Sequence, residues 1–214
     1  MPAQVEAELK LRADDEASLD ELATTPSLGG LVLSPARTIE ETDVYLDTDD
    51  GRLAARRWAC RRRTREGRSW ISLKGPAEHL SGDPLHRRPE LEGPIGDPRH
   101  PAGWPPSAAR DMLVSMAGDQ PLVERLTLQQ RRTERSVGPE GAQIGTLSLD
   151  RVEVVQRGER RGTMRIVELE FRDEAPRPLV ERLFSALASV PGLTAEPASK
   201  LERALGMLDR AEAT

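Results

Sequence analysis

Aromatic residues are scarce in this sequence: one tyrosine, two phenylalanines and three tryptophans make up 3% of its 214 residues. Leu, Val, Ile and Ala must therefore fill the interior of any core. The one cysteine, Cys60, excludes an intramolecular disulfide and fits a reducing, cytoplasmic compartment. No stretch approaches the roughly 20 apolar residues of a membrane-spanning helix. The start, Met1-Pro2-Ala3-Gln4-Val5-Glu6, has neither the basic residues nor the apolar run of a secretory leader. An excess of positive charge is also missing. The formal net charge of -5 argues against a general nucleic-acid coat, although a basic interior channel would escape that argument. The three histidines form no His-x-His or His-Glu-x-x-His pattern, which points away from a zinc site. No Gly-x-x-x-x-Gly-Lys-Ser/Thr is present, which removes the P-loop route to nucleotide hydrolysis.

What the chain has is alternation. Val5, Ala7, Leu9 and Leu11 interleave with Glu6, Glu8, Lys10 and Arg12, a two-faced strand. Further strands are predicted at Leu31–Leu33, Glu41–Thr48, Trp58–Arg65, Ser69–Lys74, Arg88–Ile95, Val123–Arg135, Ala142–Val155 and Arg161–Arg172. Helices are predicted over Asp15–Ala23, Ser107–Met116 and Pro178–Ser189, and a last one opens at Ser199, with Glu202 completing a capping box. The middle helix is expected to bury Ala108 and Met112 with Leu113 or Met116. Asp49-Asp50-Gly51 reads as a turn. Runs of strands joined by turns argue against a parallel βαβ sheet and for an antiparallel sheet or barrel with helices outside it.

The polar faces of these strands are unusual. Glu6, Glu8 and Lys10 share one face; so do Arg61 and Arg63, Arg88 with Glu90 and Glu92, and Glu168 with Glu170. Residues two apart on a strand point the same way. Taken singly, such a face is ordinarily a wetted one. Repeated Glu-x-Glu, however, raises repulsion unless a cation or a basic side chain lies between the acids. Lining one barrel, the acids would offer hard oxygen ligands to Mg²⁺ or Mn²⁺ and the bases would offer donors to phosphate oxygens.

In order along the chain stand Glu6-Ala7-Glu8-Leu9-Lys10, Tyr45-Leu46-Asp47-Thr48, Leu53, Arg61-Arg62-Arg63, Lys74-Gly75-Pro76, Arg88-Pro89-Glu90-Leu91-Glu92, Arg131, Leu149-Asp150-Arg151, Glu168-Leu169-Glu170 and Ser199-Lys200-Leu201-Glu202-Arg203. This ordered set resembles the CYTH superfamily, the triphosphate tunnel metalloenzymes, and runs from residue 6 to residue 203. The resemblance implies a mainly β, α+β fold. It would be an eight-stranded antiparallel β-barrel tunnel with external helices, one domain over 1–214 with its core at about 4–206. It also implies a divalent-cation-dependent triphosphatase. Inorganic triphosphate, cleaved to phosphate and diphosphate, is the first substrate, because so charged a tunnel leaves little apolar surface for a base. Hydrolysis of thiamine triphosphate or a nucleotide, class IV adenylyl cyclisation, and non-catalytic polyphosphate binding are the alternatives.

By the same resemblance Glu6, Glu8, Glu92, Asp150, Glu168 and Glu170 are the expected metal ligands. Lys10, Arg61, Arg63, Lys74, Arg131, Lys200 and Arg203 are the expected contacts to triphosphate. Glu6, Glu8, Lys10, Lys74, Glu168 and Glu170 form the catalytic set. Arg62 and Arg132, of opposite parity to their neighbours, are expected to face solvent, and Cys60 and Tyr45 to serve packing. Two departures stand out: Gln129 occupies a position where a lysine commonly precedes the arginine by two, and the loop from Glu78 to Arg88, with His79 and His86, lies outside the pattern. Expected partners are triphosphate or polyphosphate, with no nucleic acid and no membrane. A homodimer is left open, and so is a helical CHAD domain following the Ser-Lys ending.

Overall fold

The computed structural model describes residues 4–77, 84–96, 99–140, 142–172 and 174–212. Alternation becomes strand wherever the sequence shows it: β1 (Gln4–Ala13), β4 (Arg37–Thr48), β5 (Ala59–Arg65), β6 (Arg68–Lys74), β7 (His86–Pro94), β8 (Leu122–Gly138), β9 (Gly145–Gln156) and β10 (Glu159–Phe171), with short β2 (Ser27–Leu28), β3 (Leu31–Leu33) and β11 (Leu193–Ala195). The helices are α1 (Glu16–Thr24), α2 (Arg52–Ala55), α3 (Ala108–Ala117), α4 (Arg177–Ala188) and α5 (Lys200–Glu212). Around the barrel the order is β4-β5-β6-β7-β1-β10-β9-β8, and β8 pairs back onto β4 to close eight antiparallel strands.

Two tight hairpins set the register that decides which side chains face inward. Between β5 and β6, Glu66 and Gly67 both take positive φ (50° and 75°); between β9 and β10, Arg157 and Gly158 do the same (53° and 79°). Positive φ at both central residues is the type I′ geometry whose twist matches the flanking strands. The first turn places Arg61 opposite Ser72 and Arg63 opposite Trp70. The second places Asp150 opposite Ile166 and Glu168 opposite Ser148.

The barrel is apolar outside and charged inside. Leu9, Leu11, Leu147, Leu149, Val167 and Leu169 point outward into one core, where α1 supplies Leu19 and Leu22 and α4 supplies Val180, Leu183 and Leu187. Cys60, Ile71, Leu73 and Leu91 point outward into a second core beneath α2 and α3. Burying each such leucine stabilises the fold by about 1.5–3 kcal/mol. In α3 the fully buried positions are Ala109, Leu113, Met116 and Ala117, so the expected stripe is displaced; Ala108 and Met112 are only partly buried at its flank.

A third core lies inside the barrel. Leu126, Leu128, Val152, Val154, Met164 and Ile166 share strand faces with the polar lining and receive Ala204 and Leu208 of α5. The last helix therefore plugs one end of the barrel rather than lying on its outside. Its entry is fixed by the expected capping box: Ser199 N–H donates to Glu202 Oε2 (2.7 Å), and Glu202 N–H donates to Ser199 Oγ (3.2 Å).

Asp47 and Thr48 serve a helix that periodicity does not reveal. Asp47 Oδ1 accepts from the N–H groups of Thr48 (2.7 Å) and Leu53 (2.9 Å), and Oδ2 from that of Ala54 (3.1 Å). These bonds satisfy the free donors at the start of α2. At the end of β6 a Cβ on Gly75 would stand 2.6 Å from Pro89 Cγ and 3.1 Å from the Trp58 ring, so only glycine lets the chain leave Lys74 along this path. Among the described residues no helix is long and apolar enough to cross a membrane.

Candidate functional site

The inward faces enclose a cavity of about 500 Å³. Six basic side chains line it (Arg61, Arg63, Lys74, Arg88, Arg132 and Lys200), against five acids (Glu6, Glu90, Glu92, Glu168 and Glu170). Glu8 and Lys10 line an adjoining space that shares Lys74, Arg88 and Ser199 with it. Glu6, Glu8, Lys10, Arg61, Arg63, Arg132 and Lys200 are buried and call for compensation by a neighbour. Lys74, Arg88, Glu90 and Glu168 are half-buried, and Glu92 and Glu170 are exposed.

At the more accessible end, Glu6 pairs with Lys74 and, through Oε2, with Arg88 Nε at 2.8 Å. Arg88 also reaches Glu8 at 3.2 Å, and Glu8 accepts from Lys10 Nζ at 2.7 Å. Burial opposes ionisation of Glu6, yet Lys74 and Arg88 hold its carboxyl well below the usual range. Burial, joined by Arg61 and Arg88, lowers the Lys74 ammonium, with Glu6 working against them. Glu90 accepts from Ser72 Oγ at 2.6 Å and lies 3.5 Å from Lys74 and 3.7 Å from Arg61. Glu170 differs from all of these. Among the described residues no cation pairs with it, and its carboxyl is pushed up to about 7 by burial and by Glu6, Glu90 and Glu8, with Lys74 opposing.

Deeper in, fully buried Asp43 accepts from Arg63 Nε and Nη2 (both 2.7 Å), from Arg61 Nη1 (3.2 Å) and from Gln130 Nε2 (2.8 Å). These arginines hold Asp43 far below the carboxylate range despite its burial. Beside them Arg132 forks onto Asp150 at 2.7 and 2.8 Å and reaches Glu168 at 3.2 Å. Lys200 Nζ donates to the same two acids, at 2.6 Å to Asp150 and 2.7 Å to Glu168. Burial raises the pKa of Asp150 and Glu168, but these two cations, with Lys10 on Glu168, outweigh it and lower both.

The structure brings together Glu6, Glu8, Lys10, Arg61, Arg63, Lys74, Asp150, Glu168, Glu170 and Lys200. Glu92 stands at the rim, exposed, where it accepts from Trp70 Nε1 at 2.9 Å. Two expectations are corrected. Arg131 faces outward, its side chain 65% exposed beside Glu40, whereas the Arg132 side chain is 10% exposed and faces in. The inward neighbour two residues before is therefore Gln130, not Gln129. Arg203 does not line the cavity; it pairs with Glu196 at 2.6 Å. Cys60 is buried on the outer face, as expected, and burial raises its thiol. Glu78 and His79 lie outside the described residues. The sequence reading passed over Asp43, gave Arg88 and Glu90 a charged face but no place in the site set, and turned Arg132 to solvent. For Arg88 a signal existed, because it shares its strand parity with Glu92, which was selected.

Among the described residues no three acid, histidine or cysteine side chains already converge to hold a metal. The arrangement offers instead a row of forked and point donors for an extended polyanion, with one unneutralised carboxyl beside it.

Comparison with known proteins bears on family and fold. The CYTH domain model matches residues 4–205. Among solved structures, HpAC1 from Hippeastrum, a proposed adenylyl cyclase with a dominant triphosphatase activity, superposes with a TM-score of 0.64 at 20% identity, over 94% of this chain and 95% of that one. A proposed adenylate cyclase from Bacillus halodurans gives 0.59 at 18% identity over 93% and 97%. The PH1819 protein of Pyrococcus horikoshii gives 0.57 at 19% identity over 93% and 98%. At these identities the likeness is one of fold. A search of curated proteins returned no match.

Proposed function

The chain belongs to the CYTH domain family, and from that premise we propose that it is a divalent-cation-dependent triphosphatase that hydrolyses inorganic triphosphate to phosphate and diphosphate. One observation carries the reading: buried and half-buried arginines and lysines from β5, β6, β7, β8 and α5 converge on a single cavity inside a closed barrel. Holding that many cations away from water is costly unless an anion is to be bound there. Inorganic triphosphate is preferred to an organic ester because the apolar lining is confined to Tyr45, Ala59, Leu91, Ala108 and Leu201.

The donor set fits Mg²⁺ or Mn²⁺. Glu170 has no basic partner among the described residues and faces Glu6, Glu8 and Glu90, so negative charge is in excess at that point. The lack of a ready-made cage agrees with an ion that is bound by one or two carboxylates together with substrate phosphate oxygens. Glu170, with Glu6 as its neighbour, would hold it. When bound, such an ion neutralises phosphate oxygens and makes a coordinated water more acidic.

The chain's own residues do the rest. Arg61 and Arg63, locked by Asp43, present donors that need no reorganisation as charge builds on the transferred phosphoryl group. Arg132 on β8, two strands away from β5, and Lys200 on α5 would meet the anion beside them, with Lys74 and Arg88 also lining the cavity. We place this activity in the cytoplasm, with triphosphate or polyphosphate as the partner. Phosphate release measured over triphosphate, thiamine triphosphate, ATP and long-chain polyphosphate, with Mg²⁺ or Mn²⁺, tests the reading. Triphosphate should give the highest kcat/KM. Preference for an organic triphosphate, or formation of cyclic AMP from ATP, would replace the substrate named here.

A further inference from the structure

Lys74, Arg88 and Ser199 line not only the main cavity but also a second, adjoining space of about 270 Å³. In that space four bases (Lys10, Arg57, Lys74 and Arg88) meet two acids (Glu8 and Glu202). Three of the bases are engaged: Lys10 by Glu8, Lys74 by Glu6, and Arg88 by both acids. Glu202 accepts from the Ser199 N–H. Arg57 is exposed and has no acid partner among the described residues.

The backbone of Arg57 makes its presence there informative. Its N–H donates to the Ala54 carbonyl (2.8 Å) and the Trp58 N–H to that of Leu53 (3.0 Å), the paired bonds that end a helix in a left-handed residue. Glycine ordinarily fills that position, because a Cβ at positive φ is strained. Here arginine holds it at φ 61°. Attraction to a helix dipole does not account for the choice, since α2 has only four residues. Strain kept at a residue that lines a ligand space points to a role in that space.

We propose that Arg57 is a specificity-determining residue that contacts a fourth phosphate, so that the protein holds inorganic tetraphosphate more tightly than triphosphate. The proposal rests on the triphosphate reading above and extends that site by one phosphate. Trp58, Leu201 and Leu205 also line the space, which makes an organic group on the end of a triphosphate the competing occupant. The unpaired guanidinium favours phosphate.

Titration calorimetry in chelator, with tetraphosphate, triphosphate and ATP on the whole chain, tests this, with phosphate release in Mg²⁺ followed in parallel. Wild type should bind tetraphosphate about five- to tenfold more tightly than triphosphate, between the effect of an exposed ion pair and that of a hydrogen bond to a charged group. Arg57→Gln removes the charge and keeps the strained backbone; Arg57→Gly removes both. Each should cut the preference to about twofold or less, the part due to the anion's extra charge alone, and leave triphosphate affinity unchanged. Arg57→Lys should keep most of the preference. Glycine fits the left-handed position, so Arg57→Gly should melt no lower than wild type and reads the contact even where Arg57→Gln folds poorly.

Equal affinities for the two anions in wild type would overturn the proposal. So would a preference that survives in Arg57→Gly, or variants that weaken ATP and spare tetraphosphate. Any of these together with phosphate release would leave the triphosphatase standing. The expected affinities without phosphate release would do the reverse.

Discussion

Replacing Arg132 by alanine and, separately, Arg131 by alanine compares two adjacent arginines that differ in the side of β8 from which they project. Arg132 is buried and makes two bonds to Asp150 and one to Glu168. Its removal leaves two buried carboxylates to share Lys200. Breaking a buried pair by deleting one partner costs about 3–5 kcal/mol. In a chain of 214 residues each kcal/mol moves the melting midpoint by about 2–4 °C, so Arg132→Ala should lower Tm by roughly 6–20 °C. Arg131 lies 4.0 Å from Glu40 with both side chains well exposed. Such a pair contributes about 0–1 kcal/mol, so Arg131→Ala should move Tm by no more than about 4 °C. Thermal unfolding by circular dichroism in chelator reads the stability difference. Titration calorimetry with triphosphate on the folded variants should show affinity reduced about tenfold to a hundredfold for Arg132→Ala, the range for losing a hydrogen bond to a charged group, and unchanged for Arg131→Ala. Equal effects from the two variants, or a larger one from Arg131→Ala, would refute the assignment of the inner face of β8.

Two other outcomes follow from the geometry. Arg135 is buried with no acid partner among the described residues and donates to the carbonyls of Leu22 (2.8 Å), Thr25 (2.6 Å), Ser34 (2.7 Å) and Leu33 (3.3 Å). Arg135→Met should cost about 2–4 kcal/mol through the stranded acceptors and speed amide exchange at the end of α1; unchanged exchange there would count against it. Glu170 has a folded pKa of about 7, above the ordinary carboxyl value, so it contributes stability at acid pH that is lost as pH rises through about 7. In chelator, Glu170→Gln should therefore gain on wild type between about pH 5 and pH 8, and added Mg²⁺ should close the gap; parallel pH profiles would exclude an uncompensated Glu170.

The barrel was legible because its strands alternate and its hairpins carry turn residues. Glu6-x-Glu8-x-Lys10 over Leu9 and Leu11 announces both faces of β1 at once. β8 was harder to read for two physical reasons. Part of its outer face carries no helix, so Gln129 and Arg131 are polar there although they point away from the cavity. Its inner face begins with Leu126 and Leu128, which are apolar because α5 plugs that end. The usual contrast between the two faces is therefore inverted, and the parity of Arg131 and Arg132 was assigned the wrong way round. An extra residue in β8, where Tyr45 pairs with Leu126 but Leu46 pairs with Glu124, adds a further shift. α2 escaped notice because four residues are too few for periodicity. The role of Lys200 depends on a partner 50 positions away, a distance that local pattern does not encode.

The central claim is that the charged interior binds triphosphate and, with a divalent cation, cleaves it. A phosphorus NMR time course of triphosphate with the purified chain tests this most directly, run with Mg²⁺ and repeated with chelator in its place. The account predicts that phosphate and diphosphate appear in equal amounts with Mg²⁺, and that both cease to form in chelator. A triphosphate spectrum that stays unchanged in the presence of Mg²⁺ or Mn²⁺, with a protein shown to be folded, would contradict it.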